Sequence, residues 1–235
     1  MKLWDTIAEL LYPSRARCLG CGDLGGTGDA DWLCSDCRKK LKPKAHTVYS
    51  EHWSTDGISK GYFALYYAPP ISCLIRAFKY ESVYRCADYL VELMEPVLQA
   101  IRPGDYDCLV PVPLHYDREW TRGFNQAEVL ARLIGKRLNI PVNTELKRSV
   151  NTRKQAKLRV SQRRKNVENA FYTKSSYEGL RVLIVDDVLT TGSTACACAK
   201  VLRKAGATDV AALTVAGSHV YRRRRENFSI ILRKK

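Results

Sequence analysis

From residue 106 onward, short continuous runs of apolar residues alternate with longer segments in which apolar residues recur every three or four positions. The continuous runs indicate strands whose two faces are both covered, and the wider spacing indicates amphipathic helices. Strands that alternate with helices in this way predict βαβ units, and therefore a parallel sheet flanked by helices. The predicted strands are 106–114, 181–187 and 209–217, and the predicted helices are 124–138 and 193–206.

The rest of the pattern adds two strands and two helices. The segment GYFALYYA at 61–68 has the composition of a strand, and a further strand is predicted near 143–149. Helical spacing covers 71–80 and 84–101, and Pro96 predicts a bend in the second helix. We therefore divide the chain into an N-terminal module, a connector or hood region and an α/β core, at residues 1–45, 46–105 and 106–235.

Two CxxC pairs, Cys18 with Cys21 and Cys34 with Cys37, stand twelve residues apart. Each pair can present two thiolates from one tight turn, and the glycine-rich segment between the pairs lets the chain fold back. Four thiolates close a tetrahedral site that suits a structural Zn²⁺, with iron of the rubredoxin kind as an alternative. Four reduced cysteines without a metal are the remaining alternative.

The total of nine cysteines is odd, and no secretion signal accompanies them. This combination predicts a reducing compartment, the cytoplasm, and not a disulfide framework. The N-terminus has the pattern of an amphipathic helix ended by Pro13, which would dock on the core or a partner or contact the inner face of the membrane. No apolar run approaches the about 20 residues that span a bilayer. The five cysteines outside the CxxC pairs are predicted to be small core residues: Cys73, Cys86, Cys108, Cys196 and Cys198.

The formal net charge of +15 is concentrated in two segments, 146–165 and 220–235, which together account for all of it. Positive charge concentrated in this way attracts the phosphates of nucleotides, nucleic acids or lipids. A solvated basic face is the alternative for both segments.

The segment RVLIVDDVLTTGST at 181–194 carries the clearest chemistry, because two adjacent acids end a buried strand and a hydroxyl-rich turn leads into a helix. Ligands of open α/β sheets bind at the carboxyl ends of the strands. Asp186 and Asp187 would accept hydrogen bonds from two hydroxyls, and the turn at 190–194 would hold a phosphate at the helix N-terminus. A 5-phosphorylated ribose offers these groups in the matching order.

Two other interpretations of this segment are weaker. An apolar strand ending in two acids also resembles a Walker B strand, but the chain has no GxxxxGK[ST] loop. An N-capped helix with incidental acids explains Thr191 or Ser193 but leaves the two carboxylates without a role.

The pattern VLIVDDVLTTGST is similar to the phosphoribosyl pyrophosphate (PRPP) loop of type I phosphoribosyltransferases. This pattern and three other features of the chain together resemble the competence protein F (ComF) family, and they follow one another in the order typical of that family. The three features are VPVPLHYDREWTRGFNQAEVLA, RKQAKLRVSQRRKNVENAFYT and the four-cysteine unit. The resemblance implies a type I phosphoribosyltransferase fold, in which a parallel sheet flanked by helices carries a hood, with a small zinc-binding module added.

The resemblance also implies roles for individual residues. Asp186 and Asp187 would bind the ribose hydroxyls, and the loop of Thr190, Thr191, Gly192, Ser193 and Thr194 would bind the 5-phosphate. Mg²⁺ would accompany the pyrophosphate, with Arg118 and Arg122 as phosphate contacts; otherwise these arginines decorate a loop. The segment 151–167 stands where a mobile loop closes over PRPP, so that Arg153, Lys154 and Arg159 would stabilise the departing pyrophosphate in catalysis.

The function implied by the family is PRPP binding together with uptake of single-stranded DNA in natural transformation, with a helicase-type partner. Three aromatic residues near basic ones, Trp120, Phe124 and Tyr221, could stack on bases, although core packing is the commoner use of aromatics. The alternative function is an active Mg²⁺-dependent phosphoribosyltransferase of nucleotide metabolism, similar to amidophosphoribosyltransferases and without a DNA role. Such an enzyme would transfer the pentosyl group from PRPP, and no residue identifies the acceptor.

Overall fold

The computed structural model describes residues 17–23, 32–49, 57–80, 86–114, 116–148 and 170–218. The N-terminal helix and the C-terminal basic segment predicted from the sequence lie outside these ranges. Strands are β1 (His46–Val48), β2 (Gly61–Tyr66), β3 (Cys108–Pro111), β4 (Lys147–Arg148), β5 (Phe171–Tyr172), β6 (Arg181–Leu189) and β7 (Asp209–Gly217). Helices are α1 (Ser35–Lys40), α2 (Ile71–Tyr80), α3 (Ala87–Leu93), α4 (Glu95–Leu98), α5 (Tyr116–Arg122), α6 (Gln126–Leu138) and α7 (Ser193–Lys204).

A five-stranded sheet with the order β1-β2-β7-β6-β3 forms the centre of the fold. Strands β2, β7, β6 and β3 run parallel, and β1 pairs with β2 in the antiparallel sense at one edge. The predicted parallel sheet is therefore confirmed. Strands β1 and β2, which the sequence analysis assigned to the connector region, belong to this same sheet.

The helices follow the apolar spacing closely. The predicted helix at 71–80 is α2, and the one at 124–138 is α6, which begins after Asn125, whose side chain accepts a hydrogen bond from the Ala127 N–H at 3.1 Å. The predicted bend at Pro96 divides one helix into α3 and α4, and Pro96 occupies the first turn of α4. A proline is tolerated there because the N–H groups of a first turn have no partner within the helix.

The strand predicted near 143–149 is much shorter in the structure. Asn143 accepts a hydrogen bond from the Glu145 N–H at 2.9 Å, which forms a local turn instead of an extended ladder. Only β4 remains of this strand, and it pairs with β5 in a separate two-stranded sheet.

Both faces of the main sheet are covered by buried apolar clusters. In β6, Leu183 and Val185 face the cluster formed with α2, α3 and α6, whereas Val182 and Ile184 face the cluster formed with α7. This alternation is the two-residue period of a strand, and it explains the continuous apolar run. In the described ranges, no helix combines the length and the apolar character that crossing a bilayer requires.

Candidate functional site

The two adjacent acids lie where β6 extends beyond its neighbour β3. The last register pair of β3 is Pro111 with Val185, so Asp186 and Asp187 have no β3 partner. The chain leaves the sheet after Val112, whose carbonyl oxygen accepts a hydrogen bond from Asn125 Nδ2 at 3.2 Å. A cleft therefore opens beside the two acids, at the carboxyl end of the sheet.

The pleat of β6 separates the two carboxylates. Successive side chains of a strand point to opposite faces. Asp187 continues the series of Leu183 and Val185 towards α2, and Asp186 continues the series of Val182 and Ile184 towards α7. The two carboxylates therefore have different surroundings, although the residues are adjacent in sequence.

Asp187 forms an ion pair that the sequence did not predict. Lys79, the penultimate residue of α2, places its Nζ 2.6 Å from Asp187 Oδ2. The side chain of Asp187 is only 8% exposed and that of Lys79 is 25% exposed. A carboxylate buried to this degree needs a partner, and Lys79 supplies the positive charge.

Arg148 lies on the other side of the acid pair. It belongs to β4, its guanidinium carbon lies 5.2 Å from the centre of the Phe171 ring, and it lines the same cleft as both acids. Burial lowers the pKa of Arg148, and the nearby charges of Cys198 and Asp186 act in the opposite direction.

Asp186 has an altered acidity. Burial, and next the adjacent negative charge of Asp187, raise the pKa of Asp186 to about 7. The hydrogen bond from the Asp187 N–H to Asp186 Oδ1, at 2.8 Å, and the positive charges of Lys79 and Arg148 limit this rise. Perturbed carboxyl groups of this kind are typical of functional sites.

The loop after β6 carries the residues that the sequence analysis predicted to bind a phosphate. Gly192 has a φ of 82°, in the left-handed region that favours glycine, and directly precedes α7. The hydroxyls of Thr191 and Ser193 lie 2.8 Å apart, and Thr191 Oγ1 accepts from the Ser193 N–H at 3.4 Å. Gly192 offers no side chain to cap the helix, and the N–H groups of a first helical turn that lack a cap can donate to an anion.

Two adjoining cavities bring most of the predicted residues together. Thr190, Gly192, Ser193 and Thr194 line the first cavity with Asp186, while Thr191 belongs to the same loop. The second cavity, of about 150 Å³, is the cleft, and Asp186 and Thr194 line both. The cleft is also lined by three cationic side chains and by the start of α6: Lys79, Arg122, Arg148, Asn125, Gln126 and Ala127.

The predicted phosphate-binding arginines and catalytic cations are placed unequally. Arg122 lies in the cleft and donates a hydrogen bond from Nη1 to Gln126 Oε1 at 2.9 Å. Arg118 belongs to α5, but its side chain is outside the described part of the chain, as are the whole residues Arg153, Lys154 and Arg159. Their roles remain predictions.

The four cysteines of the two CxxC pairs form one cluster. Their sulfur atoms all lie within 4.8 Å of one another, and Cys21 Sγ is 3.8 Å from Cys34 Sγ. The sulfur atoms of a tetrahedral zinc site with Zn–S bonds of about 2.3 Å are about 3.8 Å apart. Although burial raises the pKa of Cys18, hydrogen bonds from backbone N–H groups, that of Cys34 first, lower it to about 6. The donor set fits a metal that prefers thiolates.

The four-cysteine cluster docks on the core through a glycine. A Cβ atom at Gly20 would lie 2.7 Å from Pro70 Cβ and 2.8 Å from Cys37 Sγ, so a larger residue would separate the surfaces. Pro70 directly precedes α2, and the apolar residues around the cluster include Tyr89 of α3. Of the other five cysteines, four are buried core residues as predicted, namely Cys86, Cys108, Cys196 and Cys198, whereas Cys73 is only half-buried.

Comparison with known proteins shows which families this chain is similar to. A family model described as "Phosphoribosyl transferase domain" matches residues 121–233. Competence protein F of Haemophilus influenzae is 32% identical over 216 residues, which cover 83% of this chain and 93% of that protein. DNA utilization protein YhgH of Escherichia coli O157:H7 is 37% identical over 149 residues, 61% of this chain and 66% of that protein. A purine phosphoribosyltransferase structure from Pyrococcus horikoshii aligns with a TM-score of 0.32 and 16% identity, over 57% of this chain and 73% of that chain.

Proposed function

The chain belongs to the competence protein F family, and we propose from this premise that it binds PRPP with Mg²⁺ and takes part in bringing single-stranded DNA into the cytoplasm. The domain match, with the parallel sheet, also confirms the predicted type I phosphoribosyltransferase fold with its added four-cysteine module. The observation that carries the proposal is the pair of adjoining cavities, one lined by the hydroxyl-rich loop and one by both acids.

The acid pair suits a sugar diol because each carboxylate has one oxygen already held by the protein. Asp186 Oδ1 accepts the Asp187 N–H, and Asp187 Oδ2 is paired with Lys79. Within the described ranges this leaves Asp186 Oδ2 and Asp187 Oδ1 for a ligand. Two remaining acceptors match the two hydroxyls of a ribose, while the loop beside Thr194 would take its 5-phosphate.

The cleft is suited to a pyrophosphate group that brings its own Mg²⁺. Its charged lining consists of three cations, Lys79, Arg122 and Arg148, and two acids. This balance opposes binding of a free divalent cation, and Mg²⁺ is commonly held through substrate phosphates. The metal would neutralise the phosphate charges, while Arg122, which lines the cleft, would orient the pyrophosphate group.

We expect PRPP with Mg²⁺ to bind at one site per chain, and more tightly than either ribose 5-phosphate or pyrophosphate alone. PRPP spans both cavities, whereas each smaller ligand occupies only part of the site. Calorimetric titration with the three ligands measures this order. Asp187→Asn removes a charged acceptor and should weaken PRPP and ribose 5-phosphate by about tenfold or more, but pyrophosphate much less.

The proposed site would be wrong if PRPP failed to bind, or if Asp187→Asn weakened all three ligands equally. The same preparations can report turnover. Release of pyrophosphate on addition of an acceptor would identify an enzyme, whereas binding without release would identify a PRPP-binding protein.

The proposed DNA contact involves an exposed aromatic residue of α5, the helix that also carries Arg122 of the cleft. Trp120 on α5 is 85% exposed, which is unusual for a tryptophan of a folded domain. Arg122 follows on the same helix, and the basic segment 146–165 includes β4. An exposed aromatic beside cations is the arrangement with which proteins stack on single-stranded bases.

We expect Trp120→Ala to weaken binding of single-stranded DNA by about fivefold to 150-fold, because loss of one stacked base costs about 1–3 kcal/mol. PRPP binding should be unchanged. Tyr49→Ala is the control, since Tyr49 is also exposed but follows β1 at the opposite edge of the sheet. Fluorescence anisotropy at several salt concentrations measures both the affinity and its salt dependence. An affinity that does not fall with salt would exclude the phosphate contacts that the proposal requires.

A further inference from the structure

The ion pair between Lys79 and Asp187 joins two parts of the chain that are distant in sequence. Lys79 lies near the end of α2, which precedes β3 in the chain, and Asp187 lies in the PRPP-type motif of β6. The Nζ–Oδ2 distance of 2.6 Å is that of a close charge-assisted hydrogen bond. Lys79 therefore determines which oxygen of Asp187 remains for a sugar hydroxyl.

Lys79 is held firmly enough to set the position of Asp187. The preceding residues of α2, among them Leu74, Ile75 and Phe78, are fully buried in the core. The carbonyl oxygen of Lys79 also accepts a hydrogen bond from Gln126 Nε2, at 3.5 Å, which ties the end of α2 to the start of α6. The Lys79 ammonium group therefore contacts Asp187 from a helix, α2, whose backbone is held in place by its neighbours.

The charges around the acid pair come from several elements. Lys79 of α2 and Arg122 of α5 line the cleft, Arg148 of β4 faces Asp186, and the buried thiol of Cys198 approaches Asp186 from α7. Within the described residues, Lys79 is the cation that pairs directly with Asp187. Removal of Lys79 would leave the two adjacent carboxylates with less positive charge beside them, and the side chain of Asp187 is almost fully buried.

We propose that Lys79 is a positioning residue for sugar recognition: by pairing with Oδ2 it turns the Asp187 carboxylate so that Oδ1 faces the ribose hydroxyls. This inference rests on the proposed PRPP function of the same site. A close charge-assisted hydrogen bond fixes the relative geometry of the two groups that form it. Without Lys79 the Asp187 side chain would adopt other rotamers, and the acceptor for the sugar hydroxyl would no longer be held in place.

The test compares Lys79→Met with the wild-type protein in titrations with ribose 5-phosphate and with pyrophosphate. We expect the variant to bind ribose 5-phosphate at least about tenfold more weakly, because a sugar hydroxyl loses a positioned hydrogen bond to a charged acceptor. The affinity for pyrophosphate, which has no sugar hydroxyl, should change much less.

Two further variants separate positioning from other effects. Lys79→Arg keeps the cation and should restore most of the affinity for ribose 5-phosphate, and Lys136→Met removes an exposed lysine of α6 and should change nothing. A loss that is equal for the two ligands, or that appears with pyrophosphate and not with ribose 5-phosphate, would make Lys79 a direct phosphate ligand and overturn the proposal.

A measurement without ligand keeps the inference independent of the PRPP proposal. Three-bond couplings of the Asp187 side chain report its rotamer by NMR, and circular dichroism shows that Lys79→Met is folded. We expect one rotamer of Asp187 in the wild-type protein and averaging over several rotamers in Lys79→Met. Failure of the wild-type protein to bind any ribose phosphate would contradict the proposed function, whereas an unchanged Asp187 rotamer in Lys79→Met would contradict the role of Lys79.

Discussion

Replacing Asp186 by asparagine is expected to weaken PRPP binding and, at the same time, to raise the temperature of unfolding at pH 8. The carboxylate is expected to accept a hydroxyl of the sugar, and a hydrogen bond to a charged group contributes about 1.5–3 kcal/mol. Its loss should reduce the affinity for PRPP by about tenfold to 150-fold. Asparagine keeps an oxygen that can accept the Asp187 N–H, so the end of β6 should retain its shape.

The stabilisation follows from the acidity of Asp186. Its pKa in the folded protein is raised from 3.8 to about 7 by burial and by Asp187. A carboxyl whose pKa is raised on folding makes the folded state less stable at a pH above its folded pKa, because the charge is more costly there than in the unfolded chain. Asparagine removes this cost, and we expect a gain of at least about 1 kcal/mol at pH 8, or about 2–4 °C in unfolding temperature.

The gain should depend on pH in a defined direction. It should be greatest above pH 7, decrease as the pH falls from 7 to 4, and vanish where the carboxyl is protonated in both states. Thermal unfolding monitored by circular dichroism across this range measures it. Asp88→Asn, an exposed acid on α3, is the control and should alter neither stability nor binding. A lower unfolding temperature for Asp186→Asn at pH 8 would contradict the assignment of a strained, functional carboxylate.

The elements that the sequence predicted best are those determined by local pattern. The continuous apolar run of β6 could be recognised because both of its faces are buried, and β7 has the predicted bounds of 209–217 for the same reason. Helix α7 was recognisable from the turn before it, since Gly192 and its neighbouring hydroxyls are a local signal. The phosphate loop could be predicted because all of its residues lie in one short segment.

The residues that the sequence did not reveal act across long separations. Lys79 reaches Asp187 only because α2 packs against the face of the sheet to which Asp187 points. In sequence, Lys79 is one lysine at the end of an amphipathic helix, and nothing marks it as a partner of an acid 108 residues later. Arg148 was hidden in a different way, because it is one of several basic residues in a segment that was interpreted as a whole. The folded structure distinguishes it by its burial against Phe171.

The adjacent acids also show how structure changes an interpretation. From the sequence, two neighbouring carboxylates needed a ligand to justify them. In the structure the pleat of β6 points the two side chains to opposite faces of the sheet, and Lys79 compensates the negative charge of Asp187. Both acids nevertheless line the cleft at the end of the strand, and there each has one carboxylate oxygen, Asp186 Oδ2 and Asp187 Oδ1, that the described residues leave for a ligand.

The positions of β1 and β2 in the sheet were the feature of the fold that the sequence predicted least well. The composition of 61–68 predicts a strand but does not say which strand it joins. Its pairing with β7 depends on residues about 150 positions away, as in the register of Tyr62 with Leu213. Gly217 makes the approach possible, because a Cβ atom there would lie 2.6 Å from the Phe63 ring.

The last large effect concerns the four-cysteine cluster, for which we propose one structural Zn²⁺ per chain. Among the described residues of this unit the buried apolar cluster consists of Cys18, Leu33 and Cys37, so two of its three members belong to the proposed metal site. Such a small apolar cluster cannot replace the metal, and a structural zinc site contributes about 10 kcal/mol or more to folding.

We therefore expect Cys37→Ser to lose the metal and to unfold the four-cysteine unit, whereas Cys73→Ser, which removes a half-buried cysteine outside the cluster, should keep both. Elemental analysis gives the metal content, and hydrogen exchange over residues 17–41 gives the loss of protection. The sheet should retain its protection in Cys37→Ser because its two apolar clusters are built from other residues. Iron in place of zinc would overturn the zinc assignment. A wild-type protein that is free of metal yet protected over 17–41 would show that these cysteines are structural without a metal.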